Sequence, residues 1–265
     1  MSAPLKELSE AALDIAKEAG KLLLEGYRSR PQVELKGPVD LVTEWDRRSE
    51  DLIRERLTKR FPNLPVVAEE RGGIPSGALS FYCDPLDGTT NFVHGHPFFS
   101  VSIGVMENGR ALAGAVYAPA LDYSWMGAVD SGAYRNGSLC RVSDTEELGA
   151  ALLATGFPPV RHRVPHNNLT AYVRAKLQVR GIRRCGSASI DLCFVADGTY
   201  DGYWERALHA WDLAAGAAMV IAAGGTLTAL DGTEPRLEIG HVIASNGKLH
   251  PALLDLVGEN PMQLF

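Results

Sequence analysis

A chain of 265 residues, 46% of them hydrophobic, is long enough to bury a full core and lies near the upper size of a single domain. Lysine and arginine total 26 against 32 acidic residues, a formal charge of −6, which excludes a global basic field for nucleic acid or anionic membrane. The four cysteines, Cys83, Cys140, Cys185 and Cys193, are too few and too scattered for a disulfide scaffold or a CxxC zinc site, and predict a reducing compartment.

From 5 to 27 the residues Leu8, Ala11, Ala12, Ile15, Ala19, Leu22 and Leu23 recur at helical spacing, predicting a long amphipathic helix that Pro31 ends. Residues 1–10 carry no charged segment followed by an apolar run, and no stretch reaches about 18 uninterrupted apolar residues, so a cytoplasmic chain without a membrane span is expected. A short strand over 33–36, a turn at Gly37-Pro38 and a second helix over 43–60 follow, with Leu52, Ile53 and Leu57 on one face and Pro62 as the stop. The apolar run 66–68 is a buried strand leading into Glu69-Glu70. Strands are predicted over 81–83, 101–106, 112–117 and 124–129, the middle two flanking Asn108-Gly109 as a hairpin.

The second half alternates. Strand 151–154, helix 169–179, strand 182–184, helix 187–196, strand 200–205 and helix 211–223 precede strands 226–230 and 241–244 and a terminal helix. This order predicts an α/β (α+β) fold of mixed sheets sandwiched by helices. The whole of 1–265 reads as one unit, with an N-terminal sub-domain of about 1–140 and a C-terminal one of about 141–265.

The segment richest in chemistry is Asp84-Pro85-Leu86-Asp87-Gly88-Thr89-Thr90-Asn91-Phe92. The proline discourages helix, so two carboxylates and an intervening carbonyl can converge on a hard cation, magnesium by preference. Gly88-Thr89-Thr90 then supplies backbone N–H groups and hydroxyls that suit a phosphate beside a metal. Three further acids sit at element ends: Asp46 at the start of the second helix, Glu69 after its strand, and Asp212 before a helix of small residues. Taken singly, Asp46 and Asp212 have an ordinary explanation in the helix dipole, and Glu69-Glu70 in an exposed turn. Taken together, Glu69, Asp84, Asp87 and Asp212 would repel one another in one place unless divalent cations were bound, two to three ions in all. His94, His96 and His209 read as packed structural histidines, Cys83 as a buried structural thiol, and Trp45 and Trp204 as packing residues.

The run from Asp84 through Phe92 to Val93-His94, and Trp211-Asp212-Leu213-Ala214-Ala215-Gly216, resemble the two signatures of the inositol monophosphatase family. Supporting likeness spans nearly the whole chain, including Val39-Asp40-Leu41-Val42-Thr43 with Asp46, Ala68-Glu69-Glu70, Gly186-Ser187-Ala188 and Ala223-Gly224-Gly225. The resemblance implies a layered α/β/α/β/α sandwich, a homodimer, and a lithium-sensitive phosphatase that needs magnesium. It implies Glu69, Asp84 and the Leu86 carbonyl as ligands of a first ion, and Asp84, Asp87 and Asp212 as ligands of a second. A third, weaker ion is held through Glu69. By the same resemblance Gly88 and Thr89 bind phosphate through their N–H groups, Thr89 linked to Asp46 orients the attacking water with Glu69, and Lys36 approaches from a loop. Asp87, Ala188 and Glu205 correspond to residues that contact substrate hydroxyls, with Asp212 beside the leaving oxygen.

Direct attack of a metal-activated water on a small-molecule phosphate ester is the implied reaction, with inositol 1-phosphate or a related polyol or sugar phosphate as substrate. Thr155-Gly156-Phe157-Pro158 resembles the bacterial branch and leaves fructose 1,6-bisphosphate and histidinol phosphate as alternatives. Some bacterial members also bind the transcription machinery. In this chain the basic stretch from Arg161 to Arg184 is the feature that would favour such a partner or an RNA contact.

Overall fold

The computed structural model describes residues 4–29, 31–35, 41–74, 78–158 and 167–258. Lys36, Val39, Asp40, Arg161 and Arg163 lie outside these residues. In chain order the helices are α1 (Leu5–Gly26), α2 (Glu44–Arg60), α3 (Thr89–Val93), α4 (Leu169–Lys176), α5 (Ala188–Ala196), α6 (Ala210–Ala222) and α7 (His250–Val257). The first strands are β1 (Val33–Leu35), β2 (Leu41–Thr43), β3 (Val66–Ala68), β4 (Ser80–Asp87), β5 (Ser100–Glu107), β6 (Arg110–Ala118) and β7 (Tyr123–Ala128). They are followed by β8 (Gly132–Arg135), β9 (Ser138–Leu139), β10 (Leu152–Thr155), β11 (Gly181–Arg183), β12 (Gly202–Glu205), β13 (Thr226–Thr228) and β14 (Val242–Ser245).

One sheet of seven strands runs in the order β3-β4-β5-β6-β7-β8-β9, and one of five in the order β11-β10-β12-β14-β13. Helices α1 and α2 cover one face of the larger sheet, and α5 and α6 lie between the two sheets. Helices α4 and α7 pack on each other, with α7 against β12 and β14. The result is the α/β/α/β/α layering that the resemblance implies, and it agrees with the mixed sheets sandwiched by helices expected from the element order. Each layer boundary has its own apolar core: Leu8, Ile15 and Leu23 against Phe81 and Ile103 on the outside, Leu192, Leu213 and Met219 in the middle, and Leu153, Trp204 and Leu253 beneath the smaller sheet.

The central layer is thin because its residues are small. A Cβ on Gly104 would lie 2.4 Å from the Ala214 methyl, and one on Gly114 would lie 3.0 Å from the Ala215 Cα. The alanine run of α6 can therefore rest directly on β5 and β6, which fixes where its first turn, and so Asp212, ends up.

The predicted elements correspond closely to those found, apart from shifted ends and a few short elements that were not predicted. The helix predicted over 169–179 ends at Lys176. Strands β2, β8 and β9 are short and lack a clear alternating pattern. The strand predicted over 81–83 runs on through residues 84–87 as β4, and the rest of the acidic motif turns at Gly88 into the short helix α3, which the sequence reading did not predict. All four cysteines are free, and Cys83 is fully buried in that strand with its thiol pushed well up by burial. Among the described residues no helix is long and apolar enough to cross a membrane.

Candidate active site

Strand β4 pairs in register with β5 as far as Asp84↔Ser102, then resumes at Asp87↔Ser100, so Pro85 and Leu86 form a bulge. Proline tolerates this position because it has no N–H to give the ladder, and the bulge re-aims the side chains on either side of it. Asp84 Oδ1 accepts the Leu86 N–H at 2.9 Å, and Ser49 of α2 donates to the Pro85 carbonyl at 2.8 Å. Gly88 then turns the chain with φ +93°, and a Cβ there would press on the Phe98 and Gly186 carbonyls at 3.0 and 3.1 Å. Glycine is required, and α3 starts at Thr89.

A cavity of about 820 Å³ opens over these residues, at the carboxyl ends of β3, β4, β10, β11 and β12. Glu69, Asp84, Leu86, Asp87, Gly88 and Thr89 line it together with Ala188, Glu205 and Asp212. Helices α3, α5 and α6 all begin at this cavity, so their first-turn N–H groups and dipoles favour negative charge within it.

Each aspartate is anchored through a carboxylate oxygen. Asp87 Oδ2 accepts from the Ser187 hydroxyl at 2.7 Å and from the Ser189 N–H and hydroxyl at 2.9 and 2.5 Å. Asp212 Oδ2 accepts the His209 N–H at 2.7 Å, closing the first turn of α6. Behind the cavity, Asp46 is completely buried and its Oδ2 accepts from the Thr43 N–H and hydroxyl, at 2.8 and 2.6 Å. The Thr89 hydroxyl stands 3.0 Å from Asp46 Oδ1 and 3.1 Å from the Leu86 carbonyl, and its one proton serves either acceptor.

Burial pushes the Asp84 carboxyl well above the usual carboxylate range, and the negative charges of Glu69, Asp87 and Asp212 push it further. Asp212 is raised by burial and by Asp87, and Asp87 by burial against the lowering pull of its serine donors. Buried hard oxygens under this mutual repulsion fit a divalent cation. Among the described residues no three such side chains stand closed up as a ready-made metal cluster.

In the same cavity, Glu205 ends β12 with Oε2 accepting the Tyr203 hydroxyl at 2.5 Å. Burial raises its carboxyl to about 7, while the Tyr203 hydrogen bond and Arg184 pull the other way. His209 stacks on Trp211 with ring centroids 4.6 Å apart, and both line the rim with Phe157.

The chain matches the model of the inositol monophosphatase family over residues 4–262. It belongs to that family. An inositol-1-monophosphatase of Mesorhizobium japonicum is 39% identical over 255 residues, covering 94% of this chain and 96% of that protein. A Nus factor SuhB of Pseudomonas aeruginosa is also 39% identical, over 261 residues and 96% of both chains. The solved inositol monophosphatase of Anabaena superposes with a TM-score of 0.86 at 37% identity, covering 94% of each chain. The chain is therefore a phosphatase, in a family that is generally metal-dependent.

Within this phosphatase, every cavity-lining residue expected from the sequence lines the same cavity, and Asp46 reaches it through Thr89. Sequence reasoning missed Ser189, the buried Glu50 and the buried Asp191, and it quoted Ser187, Gly156, Arg184 and Trp211 without giving them a role in the cavity. Asp191 Oδ1 is, among the described residues, the one buried side-chain oxygen without a hydrogen-bond partner. Ser187 also had a local signal, since it accepts the Ile190 N–H as the N-cap of α5.

Gly156 matters for space. A Cβ there would lie 2.0 Å from Glu205 Oε1, although the backbone at 156 is not in the left-handed region. Gly156→Ala is therefore expected to fold and to displace the Glu205 carboxylate. The expected result is a KM about 10-fold higher for an ester with vicinal hydroxyls, against little change for p-nitrophenyl phosphate, from the one-to-few kcal/mol that overpacking costs. Equal effects on both esters would remove Gly156 and Glu205 from substrate selection.

Proposed function

We propose that this phosphatase hydrolyses inositol 1-phosphate or a closely related polyol or sugar phosphate, with magnesium as the required metal and water as the direct nucleophile. The observation that carries the reading is that four carboxylates, a tight Gly88 turn and a buried Glu205 line one cavity. Glu69, Asp84, the Leu86 carbonyl, Asp87 and Asp212 would hold two to three magnesium ions. Bound there, the metal supplies positive charge for the phosphoryl and leaving oxygens and makes water more acidic.

The chain's own groups do the rest. The N–H groups of Gly88 and Thr89 hold the phosphate. Donation of the Thr89 proton to Asp46 Oδ1 leaves the Thr89 oxygen as an acceptor, which orients an attacking water together with Glu69. Asp87, the backbone at Ala188 and Glu205 grip ring hydroxyls, and a site built to bond hydroxyls discriminates against esters that lack them. No side-chain nucleophile is needed, and a phospho-enzyme is not expected. Homodimerisation and inhibition by lithium belong to the same proposal.

The test is phosphate release, with magnesium or with EDTA, across inositol 1-phosphate, fructose 1,6-bisphosphate, histidinol phosphate and p-nitrophenyl phosphate. Magnesium-dependent turnover strongest on inositol 1-phosphate is expected. A preference for one of the other esters would overturn the substrate assignment, and turnover undiminished by EDTA the metal assignment.

A second reading is favoured by the likeness to the Pseudomonas aeruginosa Nus factor and by the basic surface at Lys176, Arg180, Arg183 and Arg184, all exposed. On this reading the protein also binds the transcription machinery. A pull-down from native extract that recovers no RNA polymerase or elongation factor would remove it.

A further inference from the structure

Helix α2 carries more of the site than its one expected residue. Asp46, Ser49 and Glu50 lie at i, i+3 and i+4 on one face, and each holds a different segment of the cavity wall. Asp46 meets Thr89, and Ser49 holds the Pro85 bulge. Glu50 is completely buried and turns to the segment that carries Glu69. Its Oε2 accepts the Glu70 N–H at 2.7 Å, and its Oε1 accepts the Arg71 N–H at 3.0 Å and Arg54 Nε–H at 2.7 Å. Arg54 extends the strap, donating to the Val66 carbonyl at 3.2 Å and to the Gly72 carbonyl.

We propose that Glu50, clamped by Arg54, is a positioning residue that fixes Glu69 relative to Asp84 by capturing the two backbone N–H groups that follow Glu69. This rests on the reading of Glu69 as a metal ligand. The turn after β3 is tied to β4 by a backbone bond from the Glu69 N–H to the Cys83 carbonyl, a long one at 3.3 Å. The buried pair adds the cross-link on the other side. Its chemistry suits the place: a carboxylate paired with a guanidinium brings no net charge to the acidic wall, whereas an unpaired arginine there would compete with a cation for Glu69. A Glu-Arg pair at i, i+4 on a helix looks like an ordinary surface pair in sequence, which is why its role is invisible there.

The experiment is a magnesium titration of the full chain, followed by isothermal calorimetry and by activity, on the wild type, Glu50→Gln, Glu69→Gln and Arg54→Lys. The amide of Glu50→Gln keeps the volume but loses the charge that two N–H groups and a guanidinium need. Partners that orient metal ligands are worth about 10–100-fold in metal affinity, so the magnesium midpoint of Glu50→Gln is expected to rise by about 10-fold in both readouts. A purely structural role would lower the Tm measured in EDTA and leave the midpoint in place. A shifted Glu69→Gln beside an unshifted Glu50→Gln overturns the inference alone. An unshifted Glu69→Gln overturns the ligand reading and the inference with it. If Glu50→Gln does not fold, Arg54→Lys decides: it keeps the charge but loses the fork to Val66 and Gly72, and an unchanged midpoint in it overturns the inference.

Discussion

Asp84→Asn is expected to leave a folded protein whose turnover at saturating magnesium falls by about 10³-fold, since metal stabilisation of transition-state charge is worth several kcal/mol at about 1.4 kcal/mol per decade. The change is conservative in shape. Asn can still accept the Leu86 N–H through Oδ1, so the bulge that separates Asp84 from Asp87 survives. What is lost is the charge that the proposed mechanism shares between two ions. Retention of wild-type turnover would remove Asp84 from the mechanism.

The same variant has a stability signature of opposite sign. Burial, then Glu69, Asp87 and Asp212, hold the Asp84 carboxyl well above its unfolded value. A carboxyl raised in the folded state contributes stability that is complete below the unfolded pKa and lost as pH rises through the folded one. In EDTA the wild type loses that contribution progressively as pH rises above the unfolded value, and Asn does not. The Tm of Asp84→Asn in EDTA is therefore expected to be at or above that of the wild type at pH 8, with the difference closing toward pH 4. Scanning calorimetry at the two pH values checks this.

Glu205→Gln separates selectivity from chemistry. With its carboxyl raised by burial to about 7, Glu205 changes charge in the working range. The ionised form is the stronger acceptor for a substrate hydroxyl, and such charge-assisted bonds are worth about 1.5–3 kcal/mol, or roughly 10- to 150-fold. The wild-type KM for inositol 1-phosphate is expected to fall as pH rises through about 7. In Glu205→Gln it should be higher by about that factor at pH 8 and flat across the window, while turnover of p-nitrophenyl phosphate changes little. By the linkage just described, the variant should also melt higher at pH 8 and lose that advantage toward pH 4. A KM profile that keeps its slope in the variant would assign the titration to another group.

How much of this was readable beforehand depends on the distance over which each residue acts. The acidic motif is legible because its features are adjacent: Asp84, the Pro85 bulge, Asp87 and the obligatory Gly88 turn. Glu69 and Asp212 are legible as polar ends of apolar elements, and Asp46 as the helix-start acid of α2, which the structure shows caps Thr43 and also meets Thr89. The resemblance then assigned them roles that their positions alone left open. The serines on Asp87 act across 100 and 102 residues, and Glu50 on the Glu70 and Arg71 N–H groups across 20 and 21. Gly156 matters only because β10 and β12 are neighbours in a sheet.

By itself the sequence determined the alternation of helices and strands, the acidic cluster and the family, because periodicity, proline and glycine chemistry and short motifs are local properties of the chain. Only the tertiary structure decided which polar groups hold the acids in place, how far burial raises their carboxyls, and how much room Glu205 has. Desolvation, hydrogen-bond partnership and steric contact depend on residues far apart in sequence, and are set only when the two sheets close on the helices between them.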